Sequence, residues 1–169
     1  MSGHHLAQVN IALPLEPLTS ARLSGFVTAL DEINALADAA PGFVWRLQTE
    51  DGDATAIRLL DDDRLIVNMS VWSSMTSLTE FVYRSDHVRI MRQRRTWFET
   101  MSEAYQALWW VPTGHLPTVA EAEQRITHLR AHGPTEYAFT FRSSFPSPSA
   151  TEPSTSDIRQ TGQDLTCPA

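Results

Sequence analysis

The sequence predicts a single α+β domain with a mostly antiparallel sheet. Three observations lead to this prediction: short apolar runs that alternate at period two, longer stretches with apolar residues every three or four positions, and acidic or Pro-Gly turns between them. The predicted order is β-α-β-(β)-β-α-α-β-α-β, in which helices are separated from the strands rather than alternating with each one. The 169 residues leave room for one domain.

Each predicted element follows from its period and from the residues that end it. On the strand at 64–72, Met69 points to one face of the sheet and Asn68 to the other, because side chains alternate along a strand. A T-x-x-E capping box at 118–121 begins the last helix. The strands are predicted at residues 6–13, 43–49, 54–59, 64–72, 108–111 and 137–141, and the helices at 19–40, 74–83, 86–105 and 119–132.

The domain is predicted to occupy residues 1–145, with a disordered tail at 146–169. From Ser143 onward Ser, Thr and Pro dominate and apolar residues nearly disappear. Such a segment cannot bury enough apolar surface to offset the entropy that ordering would cost.

Composition and charge limit the classes of function. A net charge of −7 argues against a nucleic-acid partner, because neutralising phosphates needs a basic surface. No apolar run approaches the roughly 20 residues that cross a bilayer, and no secretory signal is visible, so no membrane association is predicted. The single cysteine, Cys167, cannot form an intrachain disulfide, and the cytoplasm is the expected compartment.

Six segments combine aromatic and polar residues in an unusual way. They are FVWRLQTEDGDATAIR (43–58), DRLIVNMSVW (63–72), FVYRSDH (81–87), RRTWFE (94–99), LWWVPTGHLPT (108–118) and AHGPTEYAFTF (131–141). Together they resemble an uncharacterised bacterial family of the dimeric α+β barrel, or ferredoxin-like, superfamily. The resemblance covers roughly residues 5–145.

The resemblance implies a ferredoxin-like sheet with helices on one face, a homodimer, and a small-molecule pocket enclosed by each sheet and its helices. The superfamily includes cofactor-free monooxygenases of antibiotic biosynthesis, polyketide cyclases, lactone isomerases and haem enzymes. It shares no single catalytic motif, so the resemblance implies no catalytic residues for this chain. An additional helix at 119–132 makes this chain longer than the minimal superfamily domain.

The predicted helix at 86–105 carries two ionisable side chains within an apolar stripe. A buried unpaired charge is costly, so Arg94 needs either an anionic partner or a cavity. Arg94 and His87 therefore have two readings, an internal ion pair or a site where Arg94 holds a substrate anion and His87 moves a proton. The stripe consists of His87, Ile90, Met91, Arg94, Trp97, Phe98 and Met101.

Amides within apolar elements form a second group of candidates. Asn68 shares a strand face with Trp72, while Asn10 and Asn34 lie in the first strand and first helix. Each amide needs a hydrogen-bond partner if it is buried, either a structural one or a ligand. Aromatic rings would grip a flat ligand or simply supply core volume. The residues predicted to bind substrate are Trp72, Tyr83, Met91, Trp97, Phe98, Trp109 and His115.

The leading hypothesis is a small-molecule enzyme of secondary metabolism that acts on an aromatic or polyketide-like substrate without a tightly bound cofactor. Proton transfer would lead to oxygenation, cyclisation or isomerisation. His87 would be the general acid/base, Arg94 would stabilise an enolate or phenolate, and Asn68 would orient the substrate.

Two alternatives remain open at this stage. One is a haem enzyme with His87 or His115 as the axial ligand. The other is a non-catalytic dimer that binds a ligand. No metal site is predicted: His128 and His132 have the i, i+4 spacing of a metal pair, but a role at the helix C-terminus is favoured.

Overall fold

The computed structural model describes residues 3–48 and 59–150. In chain order the elements are β1 (His4–Ala12), α1 (Ser24–Asp38), β2 (Phe43–Arg46), β3 (Ile66–Trp72), α2 (Met75–Arg84), α3 (His87–Met91), α4 (Arg94–Trp97), β4 (Gln106–Pro112) and α5 (Val119–His132). The four strands form one antiparallel sheet in the order β2-β3-β1-β4. The connectivity is the β-α-β-β-α-β arrangement of ferredoxin-like folds, extended by α5. The predicted α+β class is confirmed.

The register of the sheet gathers polar residues on one face. Gln8 of β1 lies opposite Ser70 of β3, and Asn10 lies between Asn68 of β3 and Gln106 of β4. Because successive side chains alternate between faces, these five residues form a polar patch on what we call the cavity face. Apart from His5 at the start of β1, which lies opposite Val111, the opposite side, the α5 face, is apolar in the three strands. It consists of Ala7, Val9, Ile11, Val67, Met69, Val71, Ala107, Trp109 and Val111.

Helix α5 covers the α5 face. Its residues Ala122, Ile126 and Leu129 follow the helical period and pack against the strands. The apolar strand residues on this face are at most 1% exposed. Helices therefore lie on both faces of the sheet, and the prediction that they lie on one face is wrong. The physical reason is that the strands present apolar side chains to both sides.

The covered α5 face bears on the predicted homodimer. An apolar sheet face left open to water is the physical reason to expect a partner subunit in this fold. Here α5 of the same chain already buries that face. A dimer therefore needs contacts outside the α5 face, and the homodimer itself remains a prediction.

Apolar clusters close the two ends of the cavity face. At one end, Leu6 and Leu108 pack with α2 and with Phe139 from the chain beyond α5. At the other end, Ala12 packs with Trp97 and with residues of α1 and α3. The polar patch lies between these clusters, which leave a space above it.

The predicted helix at 86–105 is broken into two short helices. α3 and α4 occupy its first half, and Phe98 then adopts an extended conformation with φ −128° and ψ 148°. Phe98 forms an antiparallel bridge with Pro14, and Glu99 N donates to Leu13 O at 2.8 Å. These bonds to the segment after β1 replace helical ones, so the prediction of a continuous helix is wrong.

Strand boundaries also differ from the predictions. β1 begins at His4, two residues before the predicted start at Leu6. The predicted strand at 137–141 is reduced to a single bridge between Phe139 and Leu108. The predicted strand at 54–59 lies outside the described residues except for Leu59, which bridges Asp62.

The predicted domain boundary at residue 145 falls within a described segment that continues to Ala150. Trp110 Nε1 donates to Phe145 O at 2.9 Å, and the Phe145 ring lies 5.8 Å from that of Phe139. His4 Nδ1 contacts Ser149 Oγ. These contacts attach residues 143–150 to the end of the sheet, whereas 151–169 lie outside the described residues.

A membrane-crossing helix needs roughly 20 apolar residues. α1, with 15 residues, is the longest of the described helices. Across residues 3–48 and 59–150, none is both long and apolar enough to span a bilayer. The cytoplasmic location remains a prediction.

Candidate functional site

A cavity of about 160 Å³ lies between the polar patch and helices α1 to α4. The patch forms its floor, and α1 contributes the apolar side chains of Phe26, Leu30 and Ile33. Asn68 and Met91 line the cavity and are also exposed, so they mark where it reaches the surface. The space is therefore a partly apolar pocket with polar groups concentrated on the sheet side.

The floor of the cavity contains an ordered side-chain network. Gln8 Nε2 donates to Asn68 Oδ1 at 2.7 Å and to Ser70 Oγ at 2.9 Å. Ser70 Oγ also accepts from Trp72 Nε1 at 2.8 Å. Gln8 and Ser70 thus hold the Asn68 amide and the Trp72 indole in place through these hydrogen bonds. Their orientation is set before any ligand enters.

Arg94 extends into the cavity without an anionic partner. Its Nη2 makes one long contact, 3.4 Å to Ile11 O, and the guanidinium lies 4.7 Å from the Tyr105 ring centre and 5.7 Å from that of Phe98. None of the described ion pairs includes Arg94. Burial lowers the pKa of Arg94, opposed by the nearby Tyr105. The internal ion pair considered from sequence is therefore not found among the described residues.

The lining as a whole is cationic. Arg46, the other arginine of the lining, pairs with Asp38 at 2.7 Å between Nε and Oδ1. No Asp or Glu is present among the described residues that line the cavity. The guanidinium of Arg94 is thus the charge that a ligand anion would meet there.

His87, at the start of α3, lines the same cavity. Its Nδ1 lies 3.5 Å from Val82 O, and its ring is tilted against Phe81 with 5.0 Å between centres. Burial lowers the pKa of His87, partly opposed by the contact with the Val82 carbonyl. A neutral ring with its proton on Nδ1 toward Val82 leaves a lone pair on Nε2. Such a nitrogen can accept a proton.

Seven residues predicted from sequence line this one cavity. The break between α3 and α4 does not separate them, because the chain bends around the pocket instead of passing it as one helix. The functional roles of these residues remain predictions. They are His87, Arg94, Asn68, Trp72, Met91, Trp97 and Phe98.

The other three predicted site residues lie elsewhere. Tyr83 is 58% exposed on the outer side of α2, where its ring contacts Phe141. Trp109 is fully buried on the α5 face, because it is one residue out of phase with Leu108 on the cavity face. His115 follows β4 and contacts Glu121 at 2.8 Å between Nε2 and Oε2. These three do not line the cavity.

His115 belongs to a separate cluster at the start of α5. Glu121 Oε1 accepts from Trp109 Nε1 at 3.0 Å while Oε2 contacts His115. Thr118 Oγ1 accepts from Glu121 N at 3.1 Å, which confirms the predicted helix cap. The Glu121 carboxylate is thus used to attach the loop after β4 to α5 and the core.

Several lining residues were not among the predicted site residues. Gln8, Ser70 and Gln106 contribute polar groups to the floor. The period of two that places Asn68 and Ser70 on one face would have identified them, once β1 and β4 are paired in the observed register. That register is a tertiary property, so the sequence pattern alone does not select them.

The cavity does not fit a haem. One benzene ring fills a closed cavity of about 150 Å³, and a porphyrin contains four pyrrole rings. The His87 ring packs on Phe81, and His115 lies outside the cavity beside Glu121. The cavity therefore offers too little space for this group, and His115 is not placed to be its axial ligand.

No cluster in the described part of the chain has the composition of a metal site. Within residues 3–48 and 59–150, no three His, Cys, Asp or Glu side chains come together in a way that could hold a metal ion. The rings of His128 and His132 are 4.5 Å apart, and His128 Nε2 contacts Thr135 Oγ1 at 3.0 Å. One nitrogen of this pair is thus engaged by a hydroxyl.

The fold and the cavity define an α+β domain with a ferredoxin-like sheet and a partly apolar cavity between the sheet and its helices. The chain belongs to the family described as a domain of unknown function, DUF3291, whose model matches residues 5–155. This match covers the sheet, the five helices of the described residues and the segment after α5. No curated protein matches the chain.

Three solved structures are similar to this chain at low identity. SnoaB, a cofactor-independent oxygenase from Streptomyces nogalater, is 16% identical with a TM-score of 0.43, over 69% of this chain and 99% of that one. NE2512, of unknown function, from Nitrosomonas europaea is 15% identical with a TM-score of 0.42, over 68% and 96%. PA3566 from Pseudomonas aeruginosa is 11% identical with a TM-score of 0.43, over 66% and 95%. Likenesses this weak carry no conclusion about activity.

Proposed function

We propose that this protein is a small-molecule enzyme that binds an aromatic substrate with an acidic oxygen and transfers a proton from it, without a tightly bound cofactor. The observation that supports this proposal is Arg94, a half-buried guanidinium that faces a cavity and has no carboxylate partner among the described residues. Proteins rarely retain such a charge without a compensating anion. A phenolate or enolate of the substrate supplies that anion.

Arg94 would stabilise the negative charge as it develops on the substrate oxygen. The guanidinium is restricted by the rings of Tyr105 and Phe98, so little reorganisation is needed when the charge appears. Charge-assisted hydrogen bonds are about twice as strong as neutral ones, and the low polarity of the surrounding walls strengthens them further. The substrate anion is therefore favoured over the neutral form.

His87 would accept the proton. Burial keeps its pKa below the usual value, so the ring is neutral near pH 7 and Nε2 is available as a base. The proton held on His87 can return to carbon or oxygen later in the reaction. Proton transfer of this kind is the first step of oxygenation, cyclisation or isomerisation of a phenol or enol.

Asn68 would orient the substrate at the mouth of the cavity. Its Oδ1 accepts from Gln8, so the amide nitrogen is directed away from Gln8 and can donate to a substrate oxygen. Trp72, fixed through Ser70, provides a flat wall for an aromatic ring at one end of the cavity, and Trp97 lines the other end. The polar floor and the aromatic sides together suit a flat, oxygenated molecule.

The proposal is tested with Arg94→Met and the neighbouring control Arg95→Met, whose side chain is exposed. Phenol binding is followed by the intrinsic fluorescence of the five tryptophans, of which Trp72 and Trp97 line the cavity, and unfolding is followed in urea. We expect Arg94→Met to weaken phenol binding about tenfold to a hundredfold, the value of one charge-assisted bond, with little or no loss of stability. Arg95→Met should leave both quantities unchanged. A loss of about 3–5 kcal/mol in Arg94→Met would instead indicate a structural ion pair and contradict the proposal.

His87→Gln separates an enzyme from a non-catalytic binding protein. The variant keeps a hydrogen-bonding side chain but cannot take up a proton near pH 7. Turnover of a phenol or enol library is measured by oxygen uptake and by mass spectrometry of the products. An enzyme should lose about a hundredfold to ten-thousandfold in rate while phenol binding is retained. Wild-type protein that binds phenols and converts none of them would indicate the binding function.

A further inference from the structure

We propose that Asn34 of α1 is a ligand-binding residue, and that the ligand is a single-ring phenol or enol with a second, uncharged oxygen substituent. This inference rests on the proposed function of the cavity, because it assigns the acidic oxygen to Arg94. It adds a second point of recognition on the helical side of the pocket. It also limits the size of the substrate.

The first observation is the position of Asn34. It lies on the apolar stripe of α1, next to Ile33 and one turn before Ala37, and all three residues line the cavity. Asn34 is 8% exposed, which is unusual for an amide on the buried side of a helix. Leu or Ala at this position would complete the stripe without a polar group.

The second observation is that the Asn34 amide has no hydrogen-bond partner among the described residues. Its polar atoms remain accessible, since among the described residues Arg125 Nε is the side-chain atom that is both fully buried and without a partner. The amide can therefore hydrogen-bond a molecule in the cavity. Its side chain lines the cavity and is the polar group that α1 contributes there. A ligand oxygen is the partner that the cavity can supply.

The chemistry of an amide limits this second substituent. Asn34 can donate through its NH₂ group and accept through its oxygen, but it carries no charge. A hydroxyl or carbonyl satisfies it, whereas a second anion would remain uncompensated on that side. The floor adds the amides of Asn10 and Gln106, which likewise have no side-chain partner among the described residues. The pocket therefore combines one cationic position with several neutral hydrogen-bonding positions.

The volume of the cavity sets the number of rings. Its roughly 160 Å³ compare with about 150 Å³ for the cavity that benzene fills. Pockets for larger ligands usually measure about 300–1,000 Å³. One ring with small substituents matches this volume, whereas three fused rings exceed it unless part of the molecule extends through the mouth at Asn68 and Met91.

The test compares phenol with catechol, resorcinol and hydroquinone, and with 1,8-dihydroxyanthraquinone as a three-ring probe. Binding is measured by titration calorimetry on the full chain and on Asn34→Leu, which has nearly the same shape. In the wild type, the best dihydroxybenzene should bind about threefold to tenfold more tightly than phenol, the value of one hydrogen bond. The anthraquinone should bind at least about tenfold more weakly than that dihydroxybenzene. Asn34→Leu should bring the ratio of dihydroxybenzene affinity to phenol affinity down to about one.

The outcomes distinguish this inference from the proposed function. If phenol binding depends on Arg94 but Asn34→Leu leaves the dihydroxybenzene preference intact, the role of Asn34 is refuted and the proposed function stands. If the anthraquinone binds most tightly, the single-ring limit is refuted. If phenols do not bind at all, both proposals fail. Should Asn34→Leu fold poorly, Asn34→Ala, which suits a helix and is smaller, gives the same comparison.

Discussion

Met69 and Asn68 are neighbours on β3, yet they belong to two regions with opposite chemistry. Met69 lies on the α5 face, where nine strand residues are at most 1% exposed and pack against one helix. Asn68 lies on the cavity face, where five polar side chains form a floor beneath four helices. The same strands thus provide a dry core on one side and a pocket on the other.

The comparison indicates that one face of the sheet stabilises the fold and the other forms the cavity. On the α5 face every apolar side chain contributes to stability, because the interior is close-packed and removing even one methylene group is felt there. On the helices that cover the cavity, Arg94, His87 and Asn34 are present although an apolar residue would be easier to bury at each position. Retaining such groups at some cost to stability is what is expected of a functional site.

A charge placed under α5 should have the largest effect. Ile126→Asp puts a carboxylate into a fully buried position, whereas Thr127→Asp places the same group on the exposed side of α5. We expect Ile126→Asp to lose more than about 4 kcal/mol of unfolding free energy or to fail to fold. Thr127→Asp should change stability by less than about 0.5 kcal/mol. Chemical denaturation of both variants decides this, and equal stabilities would mean that α5 does not form part of the core.

The next prediction compares neighbours on β3. Met69→Ala should cost about 2–5 kcal/mol, because it leaves a cavity in the α5 face. Asn68→Ala removes one bond from Gln8, whose Nε2 still donates to Ser70, so the expected cost is about 1 kcal/mol or less. Urea unfolding gives both values. Phenol binding should weaken only in Asn68→Ala, and the reverse pattern would contradict the division between the faces.

His87 predicts a pH effect on the cavity side. Its pKa in the folded protein is below the ordinary value of 6.5 because of burial, so the unfolded chain takes up the proton first as the pH falls. Wild-type stability should therefore decrease below about pH 6.5 until the folded-state pKa is passed. His87→Gln should lack this decrease. Thermal melting from pH 7.5 to 5 measures the difference, and parallel curves for the two proteins would show that His87 is solvated.

Glu121 predicts a smaller effect of the same sign, at lower pH, at the start of α5. Burial raises the pKa of Glu121, but hydrogen bonds from His115 and Trp109 and the charge of Arg125 outweigh this and lower it below its ordinary value of 4.5. Glu121 thus contributes stability above about pH 4.5, and this contribution disappears as the pH falls through the lowered pKa. Glu121→Gln should cost about 1 kcal/mol at pH 7 and little at pH 3.

Glu136→Gln is the matched control for this effect, since Glu136 is exposed. It should show no pH-dependent difference from the wild type in the same urea titrations at pH 7 and pH 3. A pH-independent loss in Glu121→Gln would mean that the hydrogen bond to Trp109, rather than the charge, stabilises the start of α5.

The sequence by itself determined the elements whose cause is local. Short apolar runs located β1 and β4, and alternation at period two located β2 and β3. The T-x-x-E box placed Thr118 correctly at the start of α5. The amphipathic stripe of the first helix was also recognised, although α1 begins at Ser24 rather than Thr19. These features depend on neighbours within a few residues, so the pattern of the chain is sufficient to find them.

Only the tertiary structure decided where the site residues meet. The chain turns away from helix at Phe98 because its backbone pairs with Pro14, a contact 84 positions away that no local period encodes. As a tryptophan, Trp109 is as suitable for lining the cavity as Trp72 or Trp97. The register of β4 on β1, however, places it on the side of α5. The register also brings Gln8 and Gln106 into the floor. Contacts between distant segments decide which of several similar residues line the cavity. A single sequence does not show those contacts.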